Sequence, residues 1–393
     1  MLITILVFLL ILSVLVLIHE GGHFLMAKKM GIKVEEFGFG FPPRMFGKKI
    51  GETIYSINWL PIGGFVKLYG EDEAGAGKIE LKNKDEKLKI EDEDRAFFAK
   101  PLWQRALVLI AGVAMNVVLA IVIFYIFLGI SGFKTDLPLL SNYKFFGVTQ
   151  TNVQEIIISE ISKNSPAEKQ GLIAPAKVVA VNGQKITDIE QFINIVDENK
   201  GQEVAISWSD LQKSDMYITK ITPRLVHPKD EGALGVGLVS FSSAVLDYKT
   251  TVQKIFSGIT YPVNLMVYNL DVIGNLVRIS FEKKTTEPLS KGISGPVGIA
   301  SVTGSILEIK NLKEKILGLL NLVGLLSISL AFFNILPIPA LDGGRLIFIA
   351  IEAVTGRKVN QKVESIIHTI GMALLLSLMA LITFKDIGKL FVK

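Results

Sequence analysis

Residues 2–26 form an apolar run broken by one charged insertion, His19-Glu20-Gly21-Gly22-His23. The run is long enough to cross a bilayer as a helix. Ionisable side chains are costly inside such a segment, and their presence marks function by default. On a helix, residues i and i+4 share a face, so His19 and His23 point together at one metal ion. Glu20 then stands beside any water that the ion carries, placed as a general base. A cleaved leader is a poor reading, because no positive segment precedes the run and no small-residue cleavage site follows it. The run is expected to persist as a first span, with the metal motif at its end.

Composition fixes the rest of the frame. The 393 residues are 50% apolar and 20% charged, with a mean hydropathy of +0.45. That is too apolar for an average soluble enzyme and too charged for a chain lying wholly in lipid. The net charge of +5 is mild, and on a membrane protein the positive-inside bias explains it as well as a nucleic-acid role would. No basic stripe is interleaved with aromatics, so nucleic acid is excluded as a partner. Cysteine is absent and only four histidines occur, so a metal must take His, Asp or Glu.

The expected architecture is a polytopic α-helical membrane protein with four transmembrane helices, a membrane-associated β-element and one soluble α+β domain. Apolar runs at 2–26, 102–130, 316–341 and 366–384 are the candidate spans, within segments 1–27, 101–131, 313–342 and 365–384. Lys28, Lys29, Lys33, Lys100 and Arg105 flank the first two, which places residues 28–100 on the cytoplasmic side and the N-terminus outside. Residues 131–315 then lie outside, and 343–364 form a cytoplasmic loop.

Between the first two spans, Phe37-Gly-Phe-Gly-Phe-Pro-Pro43 and the run at 53–69 read as short strands and turns, apolar enough to lie against or dip into the membrane. The mixed-charge stretch at 71–95 reads as a solvated linker. Residues 146–228 are compositionally soluble, with strands at 156–161, 178–186, 203–208 and 216–221 and helices at 165–171 and 189–196. That order, with Ser165-Pro-Ala and Val181-Asn-Gly, resembles a bacterial PDZ domain. Residues 229–312 contain an interrupted apolar stretch at 261–281, better suited to an interfacial helix than to a span. Asn116, in the small-residue run Ala111-Gly-Val-Ala-Met, reads as a packing residue.

Zinc needs a third protein ligand and an open position. Asp342, in Asn334-Ile-Leu-Pro-Ile-Pro-Ala-Leu-Asp-Gly-Gly344, sits at the cytoplasmic end of the third span, level with the first motif, and is favoured as that ligand. His368 is a weaker candidate at the same membrane face, and His227 is expected to be a surface residue.

His19-Glu-Gly-Gly-His23, the soluble insert, Gly295-Pro-Val-Gly-Ile299 and the Asn334…Asp342-Gly-Gly segment together resemble the site-2 protease family of intramembrane zinc metalloproteases, in its bacterial regulator-of-sigma-E-protease branch. The resemblance implies Zn2+ on His19, His23 and Asp342, Glu20 as base, and Asn334 as a substrate-holding residue. It also implies residence in the inner (cytoplasmic) membrane, with the lipid bilayer as solvent. The implied substrates are single-pass transmembrane proteins already trimmed outside, such as anti-sigma factors or remnant signal peptides. A helical substrate hides its carbonyls and must unwind, so a strand in 53–69, with Ile57 and Asn58 as candidate contacts, is expected to receive it by β-addition. Two rivals stand beside this reading: a catalytically inactive membrane-anchored PDZ scaffold with a structural metal site, and a zinc transporter. Glu20 argues against the first, since a structural site needs no base. Spans two and four are too apolar for the second.

Overall fold

The computed structural model describes residues 2–71, 93–210, 216–228, 231–285 and 294–391. Most of the charged stretch at 71–95 lies outside them. The chain divides into two compact units, residues 1–132 with 255–393, and residues 133–254.

Among its described residues the first unit holds four helices long and apolar enough to cross a membrane, as expected: α1 (Leu2–Lys29), α2 (Leu102–Ile130), a third at Leu312–Ile335 and a fourth with its apolar part at Lys362–Gly388. α2 packs against both α1 and the third span. Lipid gives apolar helices no hydrophobic reason to associate, so close packing at small residues must hold them. A Cβ on Gly22 of α1 would strike the Ala111 carbonyl of α2, and one on Gly112 would enter the His23 ring. On the other side of α2, a Cβ on Gly324 would enter the Phe124 ring, and Ser327 Oγ donates to the Asn116 carbonyl at 2.8 Å. The opposite faces carry exposed Leu6, Leu10, Leu374, Leu378 and Leu381, as a bilayer requires.

Two long strands, β1 (Val34–Ile50) and β2 (Thr53–Leu68), follow α1. Each bends, so residues 36–39 of β1 meet both 54–57 and 64–67 of β2. Gly40 and Gly63, at φ of +77° and +73°, occupy the bends where an L side chain would be strained. Ala27, Ile32, Val34, Val66, Leu68 and Val108 bury the near end of the hairpin against α1 and α2. Glu52, in the hairpin turn, takes Lys28 at 2.5 Å and Arg95 at 2.6 Å. The hydrogen bond from Lys28, supported by Arg95, holds its carboxyl below the usual range. The far end exposes Phe41, Met45, Phe46, Trp59 and Leu60, an apolar tip suited to lipid.

The second unit is an α+β body. Its strands are β3 (Lys134–Leu139), β4 (Thr149–Ile161), β5 (Ala176–Val181), β6 (Gln184–Lys185), β7 (Val204–Asp210), β8 (Met216–Ile221) and β9 (Val236–Asp247), with helices α3 (Pro166–Lys169) and α4 (Ile189–Glu198). The sheet order is β3-β9-β4-β5-β7-β8, with β6 beside β5. Ser165 and Asp188 cap the two helices by accepting Glu168 N–H and Gln191 N–H. Ile156, Ile158, Val178, Phe192, Val204, Ile206 and Trp208 lie in one core. The unit is wider than the soluble stretch read at 146–228. The added strands β3 and β9 pair with each other over more than a hundred residues, a separation no local pattern reveals.

Helix α5 (Thr251–Glu282) runs through the stretch expected at the interface, and it is not among the four candidate spans. Tyr261 packs on Phe124 and Phe127 of α2, at ring distances of 5.0 and 5.8 Å. α6 (Pro296–Glu308) follows, its first turn capped by Asp386, whose carboxylate accepts Gly295 N–H at 2.7 Å and Gly298 N–H at 3.0 Å. The third span, α7 (Leu312–Ile335), stops before Pro337 and Pro339 rather than running to 342. Residues 343–364, expected as a loop, instead begin with a helix, α8 (Asp342–Thr355). Its Leu346, Phe348, Ile349 and Ile351 supply an apolar pattern, and Arg105 of α2 holds its Glu352 at 2.5 Å. The last span lies within α9 (Gln361–Phe391).

Adjacent glycines of the motif should therefore behave differently. Gly22→Ala drives a methyl into the α2 backbone and is expected to destabilise the protein by about 1–3 kcal/mol. Gly21→Ala meets nothing within 4 Å and should be neutral or slightly stabilising. Thermal melting of both purified variants in one detergent checks this, and equal melting temperatures would refute the close α1–α2 packing.

Candidate metal centre

His19 and His23 lie one turn apart on α1, each 6% exposed, with rings edge to face at 4.7 Å. α2 positions His23. Its Nδ1 lies 2.8 Å from the Val108 carbonyl, which can only accept, so the ring proton is on Nδ1 and Nε2 carries a lone pair. Gly112 makes room for that ring.

Asp342 arrives from the other side. The two prolines after α7 turn the chain, and Asp342 opens α8 with its carboxylate against the histidines. Its Oδ2 lies 3.0 Å from His19 Nε2 and 3.3 Å from His23 Nε2, and the two Nε2 atoms are 3.2 Å apart. Gly343 and Gly344 permit this turn, since a Cβ on either would strike the carbonyls of Ile335, Leu336 or Ile338. Arg345 pairs with Glu71 beside Asp342.

These donors fit a zinc ion. Tetrahedral bonds of about 2.0–2.1 Å separate neighbouring donors by about 3.3 Å. Asp342 Oδ2 is buried without a hydrogen-bond partner among the described residues, as a metal-facing oxygen would be. Two imidazoles and a carboxylate leave one position open, which separates a catalytic site from a closed structural one.

Glu20 is half-buried next to this cluster, and its Oε2 accepts Val66 N–H at 3.1 Å. The contact joins the motif to strand β2, and it involves a backbone group that no sequence pattern announces. Asn334 lies half-buried near the end of α7 and makes no side-chain hydrogen bond among the described residues.

Ile57 and Asn58 do not serve as a strand edge. Ile57 pairs with Phe39 on one side and Phe46 on the other, and Asn58 is 3% exposed with Nδ2 donating to the Gly40 carbonyl. The bends in β1 and β2 place this part of the hairpin between two neighbours, which the expectation of short strands missed. The stretch beside Glu20 is residues 64–66. His368 is not with the donors; its Nδ1 accepts Ala340 N–H at 2.8 Å, which steadies the turn before Asp342. His227 belongs to the second unit, beside Pro228.

Known proteins similar to this chain include zinc metalloproteases. The model of peptidase family M50 matches residues 7–378. The zinc metalloprotease RasP of Geobacillus kaustophilus is 30% identical, over 98% of this chain and 97% of the relative. The regulator of sigma-W protease RasP of Bacillus subtilis is 29% identical, over 99% of each. The zinc metalloprotease RasP of Oceanobacillus iheyensis is 32% identical, again over 99% of each. With a family match across nearly its whole length and a donor set that fits zinc, the chain belongs to peptidase family M50, the site-2 protease family of zinc metalloproteases.

Proposed function

We propose that this enzyme hydrolyses peptide bonds within single-pass transmembrane substrates, with His19, His23 and Asp342 holding zinc and Glu20 as general base. One observation carries the reading: three metal donors within 4.8 Å of one another, on and beside membrane-spanning helices, with a carboxylate next to them. Zinc bound there supplies Lewis-acid polarisation of the scissile carbonyl and acidifies a water. Glu20 takes the proton of the attacking water and returns it to the departing nitrogen. Asn334 is assigned to hold the substrate backbone.

The substrate must present an unwound stretch, because a helix keeps its carbonyls in its own hydrogen bonds. Residues 64–66 are the segment for it to lie against, since Val66 N–H already faces Glu20. The flanking lysines and arginines support a zinc site near the cytoplasmic face of the inner membrane, with the second unit outside. That unit has the strand and helix order that led to the PDZ reading. We assign it to exclude substrates with bulky external domains, so that only trimmed proteins or remnant signal peptides enter. The name of the Bacillus subtilis relative is consistent with substrates that control a sigma factor.

Glu20→Gln should reduce cleavage of a single-span substrate lacking its external domain by about 10²–10⁴-fold while zinc content stays at the wild-type level. Active Glu20→Gln protein would remove Glu20 as the base, and wild-type protein that holds zinc and cuts no such span would favour the scaffold reading. Val66→Pro removes the N–H that faces Glu20 from a position where an edge strand tolerates proline. It should lower cleavage at least tenfold without loss of zinc, and unchanged cleavage would exclude residues 64–66 as the docking strand. Deleting residues 133–254 should admit substrates with intact external domains, read by gel analysis of a size series.

A further inference from the structure

We propose that Asn116 is a positioning residue that fixes the tautomer of His19, so that Nε2 faces the metal as a lone pair. This inference rests on the zinc reading above. Asn116 is fully buried in α2, and its Nδ2 lies 3.3 Å from His19 Nδ1. Its place is fixed, because Ser327 of α7 donates to its backbone carbonyl.

The two histidines face the same requirement and meet it differently. A ligating imidazole needs its proton on the nitrogen turned away from the metal, and an acceptor on that side holds it there. For His23 the acceptor is the Val108 carbonyl. Asn116 stands two turns further along the same face of α2, where His19 needs the equivalent group. A carboxamide offers either end. With Nδ2 toward the ring, it donates to Nδ1, and the ring proton moves to Nε2, between His23 Nε2 and Asp342 Oδ2. That arrangement excludes a cation. With the amide rotated by 180°, Oδ1 accepts Nδ1–H and Nε2 is bare. The two orientations have the same shape, so the hydrogen-bond chemistry decides between them. Oδ1 has no partner in the first orientation; the rotation pairs it with Nδ1–H and moves Nδ2 to the position it vacates, so the choice turns on which end the metal-bound ring needs. An asparagine acting only as glue between helices would need no particular end toward the ring.

The full-length protein in detergent is stripped of metal, and zinc affinity is measured by chelator competition. Asn116→Leu keeps the volume and removes the acceptor. It is expected to bind zinc about 10–100-fold more weakly, while the metal-free variant melts within a few degrees of metal-free wild type. Asn116→Asp offers an oxygen at either end and should keep zinc affinity within about threefold of wild type. Wild-type affinity in the Leu variant, or equal loss in the Leu and Asp variants, would overturn the proposal. Wild-type protein that binds no zinc would overturn the site reading, and the inference with it.

Discussion

The close approach of α1 and α2 is the contact on which the rest depends. Two imidazoles in a membrane helix are tolerable only if each polar nitrogen has a partner and the free lone pairs converge on a cation. α2 brings the Val108 carbonyl and the Asn116 side chain to them. It does so only because Gly22 lets the backbones nearly touch and Gly112 leaves space for a ring. The same helix holds α7 through Ser327 and Gly324, and α7 in turn delivers the Pro-rich turn and Asp342. One helix thus sets both sides of the metal centre.

The hairpin obeys a second constraint. Backbone N–H and C=O groups at membrane depth must be paired, so an extended segment there has to fold on itself. β1 and β2 do this by bending, which leaves an outer stretch with Val66 N–H turned to Glu20. The pairing that makes the hairpin stable also places strand β2 beside Glu20.

Much of this was legible in the residues. Four apolar runs gave the spans, and the i, i+4 histidines with an intervening glutamate gave the motif. Asp342 was read from its depth at the end of a span, and the structure brings it to His19 and His23. What was misread has common causes. Residues 343–364 read as a loop on their Arg and Lys, which carry the topology signal, whereas the apolar spacing of Leu346, Phe348, Ile349 and Ile351 builds a helix. Ile57 and Asn58 looked like edge residues because alternation reveals a strand but not its neighbours. Asn116 reads as a packing residue, and it is fully buried with its backbone carbonyl accepting from Ser327 of α7; its side chain also meets His19, a contact that no local pattern reveals.

The sequence by itself determined the chemistry and the solvent: which side chains can bind zinc, which one can take a proton, and which segments lie in lipid. These depend on residue type and on spacing within one helix, both of which are local. Only the tertiary structure decided which carboxylate meets the two histidines, which groups of α2 face their Nδ1 atoms and which strand meets Glu20. Those outcomes rest on backbone carbonyls, N–H groups and close helix packing between segments as far apart in the chain as His19 and Asp342. A carbonyl is the same at every position until folding aims it.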